Sequence, residues 1–229
     1  MIYEKIVLSP LDISEALRYM GHKGNEVPAA VLELMRECEK KVMECAKPKY
    51  LYRVCDISEC TDGVMINETN YILQGNDIRN HLKGCNKAVI MCATLSADID
   101  RLIRITQKQD IARALAVDAL ASTAIEQVCD KAEALIKQTV PQYHMNWRYG
   151  IGYGDFPIQQ QKDILEFLDA PRKIGLNVTG AYMLTPGKSV TAVMGLSLDE
   201  FDNKKQHGCD TCRLNGTCQF RKEGKYCND

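Results

Sequence analysis

The chain has 229 residues, 45% of them hydrophobic and 26% charged, with a formal net charge of -1, the make-up of a soluble globular protein able to bury a sizeable core. A sequence pI of about 6.4 gives no electrostatic case for a nucleic-acid or membrane-surface partner, and no uncharged apolar run approaches bilayer length. The first residues lack the basic and apolar blocks of a signal peptide, so a cytoplasmic location is expected, where eleven cysteines point to reduced thiols or metal ligands rather than a disulfide framework.

In chain order, Ser9-Pro10-Leu11-Asp12 reads as a helix start with Ser9 as cap, Ile13, Ala16, Leu17 and Met20 as the apolar stripe, and Gly21 as the stop. A second helix over 28–46 places Val31, Leu34, Met35, Cys38, Val42 and Cys45 on one side, which makes both cysteines small core residues. Strand-like runs follow at 50–57, 64–67 and 71–73, then a short helix over 76–82 with Asn76 as cap. The apolar run 88–94 reads as a buried central strand in which Cys92 is filler, and helical spacing returns at 97–107 and 111–140 with an alanine-rich face suited to close packing.

The segment 148–157, Arg-Tyr-Gly-Ile-Gly-Tyr-Gly-Asp-Phe-Pro, is built as a contact loop. Glycine brings main-chain N–H and C=O groups close to a ligand, arginine offers a planar fork for a carboxylate, and tyrosine a flat face with a polar tip. A helix over 158–168 and two strands over 176–184 and 188–196, joined at Thr185-Pro186-Gly187, follow it.

These residues carry a family resemblance. Arg148-x3-Gly152-Tyr153, Pro157, a helix ending in Leu-Asp, Ile-Gly-Leu-Asn-Val-Thr at 174–179 and Pro-Gly-Lys-Ser-Val-Thr at 186–191 are similar to the activation domain of cobalamin-dependent methionine synthase. That family's pattern is Arg-x3-Gly-Tyr-Pro-Ala-Cys-Pro, helix, Gly-x-x-Leu-Thr and Pro-x-x-Ser-Val-Ser. Free-standing relatives with Gly-Tyr-Gly-Asp and Pro-x-Lys-Ser-Val are closer still, and also resemble the chain at 17–24 and 92–100, so the likeness spans most of 1–200. The implied organisation is an activation-like domain over 1–200 and a cysteine-rich tail over 201–229.

The resemblance implies a fold and a function. The expected fold is α+β, a bent, mostly antiparallel sheet packed with long helices, which the hairpin-like strand runs also favour. The expected function is S-adenosylmethionine binding in support of reductive methylation of cob(II)alamin on a partner, a methionine synthase or another corrinoid protein, with a reductase supplying electrons. By that likeness Arg148 meets the ligand's carboxylate, the main chain around Gly152, Gly154 and Asp155 holds the nucleoside or methionine part, Tyr153 packs on it, and Lys188 and Ser189 face the pocket. Asp118 or Glu126 meets the ammonium; in the family this acid lies four residues after the aspartate, where this chain has Ser122. Two departures stand out: a paired-tyrosine segment of the family is replaced by Leu-Ser-Leu-Asp-Glu-Phe201 and the cysteine tail, and Asp155 occupies a small residue's place. A docking module that does not use S-adenosylmethionine and an iron-sulfur electron carrier are the alternatives.

The tail carries the strongest spacing signal. Cys209-x2-Cys212, Cys218 and Cys227 form a candidate tetrahedral thiolate set for zinc or an iron-sulfur cluster, in a stretch with too few apolar residues to fold unaided.

Overall fold

The computed structural model describes residues 6–22, 26–67, 69–201 and 216. The four tail cysteines lie outside the described residues. The elements are α1 (Ile13–Tyr19), α2 (Ala29–Cys45), β1 (Lys49–Cys60), β2 (Gly63–Ile66), β3 (Ile72–Gln74), α3 (Asn76–His81), β4 (Lys87–Thr94), α4 (Ala97–Gln109), α5 (Ile111–Thr139), β5 (His144–Met145), β6 (Tyr149–Gly150), α6 (Gln161–Leu168), α7 (Ala170–Ile174), β7 (Asn177–Val178), β8 (Leu184–Thr185) and β9 (Ser189–Ser197).

One curled antiparallel sheet runs β3-β2-β1-β4-β9-β5, with β6 also pairing with β9. β4 sits between β1 and β9 and is buried on both faces, which is why its sequence is a continuous apolar run rather than an alternating one. Its alternate residues feed two cores. Val89, Met91 and Ala93 pack under α1, α2, α4 and α5, whereas Ala88, Ile90 and Cys92 pack under α3, α6 and α7. Burial pushes the Cys92 thiol up to about 12, so it is filler, as its apolar neighbours indicate. The α+β expectation is met.

α5 is the longest helix, and its small residues Ala116, Ala119, Ala121, Ala124 and Ala132 let it lie close against β4 and β9. Three local expectations are corrected. Asp12, not Ser9, caps α1, accepting from the N–H groups of Ser14 and Glu15 at 2.8 and 3.1 Å; Ser9 instead receives Lys131 Nζ from α5 at 2.6 Å. Asn76 lies inside α3 and caps nothing; the cap comes from a carboxylate 79 residues away, described below. The run 176–184 is a short β7–β8 hairpin outside the main sheet, because Thr179 folds the chain back: its N–H donates to Met183 O at 2.8 Å and its Oγ1 accepts from Met183 N at 3.2 Å.

Candidate functional site

Residues 146–157 pass through the short strand β6 and end as a loop pinned at both sides. Buried Asn146 anchors the start, its side chain accepting from Gly195 N at 2.5 Å and donating to His81 O at 2.8 Å. Tyr149 then pairs with Val193, and Gly150 with Ala192. Alternation along β6 sends Tyr149 and Ile151 into the core under α6 and leaves Arg148 and Gly150 on the α5 side.

On that side Arg148 reaches three α5 carboxylates. Nη1 donates to Glu133 Oε2 at 2.7 Å, and Nη2 donates to Asp130 Oδ1 at 2.7 Å and Glu126 Oε2 at 3.3 Å. Positions 126, 130 and 133 share one helix face, and one positive charge meets three negative ones. The Arg148 side chain is only 20% exposed. A guanidinium has five N–H donors, so two remain beyond these three bonds. The Tyr153 ring lies over Gly150, where a β-carbon would come within 2.8 Å of Cδ2, and Tyr153 is 72% exposed. An arginine, an acid surplus and a bare aromatic face thus stand together.

One to two turns toward the start of α5, Lys188 repeats the arrangement. Its Nζ donates to Asp118 Oδ1 at 2.9 Å and Ser122 Oγ at 2.8 Å. Ser122, the position where the resembled family has an acid, therefore shares a lysine with Asp118. Ser189 Oγ is turned inward, donating to Pro186 O at 2.7 Å and lying 2.8 Å from Thr94 Oγ1. Beside Lys188 opens a cavity of about 450 Å³ lined by Asp100, Ile103, Arg104, Gln107, Asp118, Gly187 and Lys188. Between the lysine and arginine clusters the outer edge of β9 is only partly covered: β6 pairs at 192–193 and Ile151 N reaches Thr191 O at 3.4 Å. Arg148 and Lys188 thus both reach across from the β9 side of the sheet to carboxylates on one face of α5.

Asp155 has a different post. Its carboxylate accepts from Asn76 N at 2.8 Å and Asp77 N at 2.9 Å, capping α3, while Asp77 Oδ2 accepts from Asp155 N at 3.0 Å. Gly154 makes this reciprocal clasp sterically feasible, because a β-carbon there would collide with Asp77 Oδ2 and meet Tyr149 Oη at 2.5 Å. The loop backbone at Gly152 and Gly154 is left-handed, with φ of 94° and 58°.

The structure thus brings Arg148 to Glu126, with Tyr153 over the neighbouring Gly150, and Lys188 to Asp118 further along α5, whereas Gly152 packs toward Ile158 and Gly154 toward Asp77 and Tyr149. It turns Ser189 inward and commits Asp155 to α3. Asp130 and Glu133 join unannounced, although their spacing from Glu126 on a helix was a readable signal. Tyr19 on α1 had none: burial first, then the Glu15 carboxylate, push its phenol up to about 12, with Glu126 adding to the effect. Among the described residues, no group of three or more His, Cys, Asp or Glu side chains is placed to hold a metal ion. None of their helices is long and apolar enough to cross a membrane.

No family model and no curated protein matches the chain. Among solved structures, the crystal structure of the MetH reactivation domain bound to AdoHcy is similar at a TM-score of 0.67 and 14% identity, covering 88% of this chain and 80% of that one. The chain has an activation-domain-like fold.

Proposed function

We propose that this chain binds S-adenosylmethionine in the groove between α5 and the β6–β9 edge and serves as a reactivation component for a corrinoid-dependent methyltransferase of the methionine synthase type, supporting reductive methylation of cob(II)alamin. The observation that carries the reading is the meeting of Arg148, Glu126 and exposed Tyr153 at one groove, in a fold shared with a domain solved with AdoHcy.

The residues fit a ligand carrying a carboxylate, an ammonium, a sulfonium and an aromatic base. The two remaining donors of Arg148 suit the carboxylate. Glu126 and Asp118, both about half exposed, have carboxylate oxygens that suit the ammonium. Glu126, Asp130 and Glu133 together outweigh Arg148, which favours a ligand of net positive charge. Tyr153 offers its face to the base, the loop of Gly152 and Gly154 holds that ring in place, and Lys188 closes the far end beside the cavity. S-adenosylmethionine supplies an already activated methyl group, so the chain's task is to bind, orient and exclude water rather than to move protons.

The partners in this reading are a cobalamin-dependent methionine synthase or another corrinoid protein, and a reductase as electron source. Cys209, Cys212, Cys218 and Cys227 are assigned a zinc ion or an iron-sulfur cluster on the strength of their spacing. Calorimetric titration of S-adenosylmethionine tests the site. Micromolar binding that Arg148→Ala weakens by about tenfold or more, as loss of a charge-assisted contact demands, is the expected result. A folded wild-type chain that binds nothing at millimolar ligand sinks the reading.

A further inference from the structure

The outer face of α4 is a second surface, and the proposed function does not use it. Arg101, Arg104, Ile105 and Lys108 recur at helical spacing on one exposed stripe, and with Gln107 they line a shallow cavity of about 460 Å³. Ile105 is 43% exposed on this stripe, and at the start of α5, the next element in the chain, Ile111 is 82% and Leu115 is 49% exposed. Large aliphatic side chains bared together beside like charges mark an interaction surface more often than a plain solvent face.

The acids on the neighbouring elements are engaged elsewhere rather than paired with the stripe. Asp98 is paired with Lys47 at 2.5 Å. Asp100 accepts from Gly187 N at 2.8 Å. Asp110 caps α5 through Ala112 N and Arg113 N and also meets the Arg113 guanidinium. Asp118 is held by Lys188. Among the described residues, Arg101, Arg104 and Lys108 enter no ion pair, and Asp98, whose carboxyl Arg101 helps to hold low, is itself paired with Lys47. A chain of net charge -1 thus sets three cations in one stripe of about 10 Å, the length of seven residues at a helical rise of about 1.5 Å, with the Asp100 carboxylate at its edge, in the cavity lining that it shares with Arg104.

We infer that this face of α4, with Ile111 and Leu115, docks a partner protein presenting an acidic surface with an apolar centre. A small anion would use the cations and gain nothing from the isoleucines. The placement also serves the site: Arg104 lines both this cavity and the one that ends on Asp118 and Lys188. A protein seated here therefore stands at the mouth of the groove. Resting on the proposed function, the partner is the corrinoid protein whose cofactor must reach that groove.

The test is binding of a purified cobalamin-dependent methionine synthase lacking its own reactivation domain, measured by interferometry at low and high salt. The variants are Arg101→Glu with Lys108→Glu, and separately Ile111→Ser; both leave the groove residues intact. The charge reversal is expected to weaken binding about tenfold or more at 50 mM salt and to lose most of that effect at 0.5 M, where the Debye length is only about 4 Å. Ile111→Ser is expected to weaken it by a similar factor at both salts. Equal affinity of the variants and the wild type, or no binding by the wild type, overturns the docking surface. Competition by micromolar inorganic tripolyphosphate without any effect of Ile111→Ser overturns it in favour of a small-anion site. S-adenosylmethionine titrations on the same variants separate the two ideas: retained ligand binding with unaltered docking fells only this inference, whereas no ligand binding by the wild type fells the reading beneath it.

Discussion

The clasp between Asp155 and Asp77 makes a prediction that the structure sets quantitatively. Asp155 accepts two main-chain hydrogen bonds, at 2.8 and 2.9 Å, from the first turn of a six-residue helix that has no other side-chain cap. Loss of a capping side chain costs about 0.5–2 kcal/mol, and hydrogen bonds to a charged acceptor lie at the upper end of that range. Asp155→Ala is therefore expected to destabilise the chain by about 2 kcal/mol, roughly 4–8 °C in a domain of this size. Asp155→Asn, which keeps one acceptor oxygen, is expected to lose about half as much. Asp77→Ala removes the return bond to Asp155 N. Because both carboxylates serve one clasp, the double mutant is expected to fall short of the summed single effects by about 1 kcal/mol, measured by urea unfolding of all four proteins. The loop that carries Tyr153 loosens with it, lowering S-adenosylmethionine affinity about three- to tenfold through the ordering cost of the ring. Single effects that add to within about 0.3 kcal/mol, or a Tyr153 loop whose ligand affinity ignores Asp155, would refute the clasp as the device that positions the loop.

Gly154→Ala, whose β-carbon would collide with Asp77 and crowd Tyr149, is expected to cost about 1–3 kcal/mol in the same unfolding assay, whereas Gly180→Ala, with open space around it, is expected to cost less than about 0.5 kcal/mol. Burial pushes the Cys92 and Cys129 thiols up to about 12; alkylation at pH 8 followed by peptide mass spectrometry is expected to find both modified roughly a thousandfold more slowly in the folded chain than in urea, as the thiolate fraction dictates. The Glu15 carboxyl is held below its ordinary value chiefly by its hydrogen bonds from Arg18, so its contribution is present at neutral pH and lost as pH falls through the lowered value. The destabilisation by Glu15→Gln, well under about 1 kcal/mol for so exposed a pair, is accordingly expected to be full in melts at neutral pH and to shrink progressively as pH is taken down through and below the ordinary carboxylate range. Elemental analysis of anaerobically purified protein is expected to find zinc or iron that Cys209→Ser with Cys212→Ser removes, with the melting of the body of the chain unchanged.

Legibility in the sequence follows the range of the interactions involved. The long helices and the buried β4 run were readable because burial imposes a period on consecutive residues, and Met35, Cys38 and Val42 of α2 lie in the core as their spacing requires. The turn after β6 was readable because its glycines allow the left-handed backbone that Gly152 and Gly154 adopt. Most of the failures are non-local, and one is a local turn. Nothing near Asn76 signals that its helix is capped from residue 155, and nothing near Ser9 signals that Lys131 will take its hydroxyl. The stretch 176–184 has strand composition throughout, yet Thr179 bonds twice to Met183 and makes a hairpin of it. Tyr19 could be placed near Glu126 only once α1 was packed on α5.

The same distinction clarifies how Asp155 bears on the ligand. In the resembled pattern a small residue occupies its position, so an added anion beside an arginine that must grip a carboxylate looks like an obstacle. The geometry removes the objection, because both carboxylate oxygens accept amide hydrogens from α3 and the group faces away from Arg148's partners on α5. What changed at this position is how the loop is held, with Gly154 supplying the room and Asp155 the anchor. The groove side, meanwhile, is governed by α5, where Asp118, Glu126, Asp130 and Glu133 face Lys188 and Arg148. Four carboxylates against two cations leave an electrostatic bias that the loop does not cancel. In the proposed function that bias favours a ligand of net positive charge over its neutral counterpart, a sulfonium over a thioether, and it depends on helix residues rather than on the glycine loop that first draws the eye.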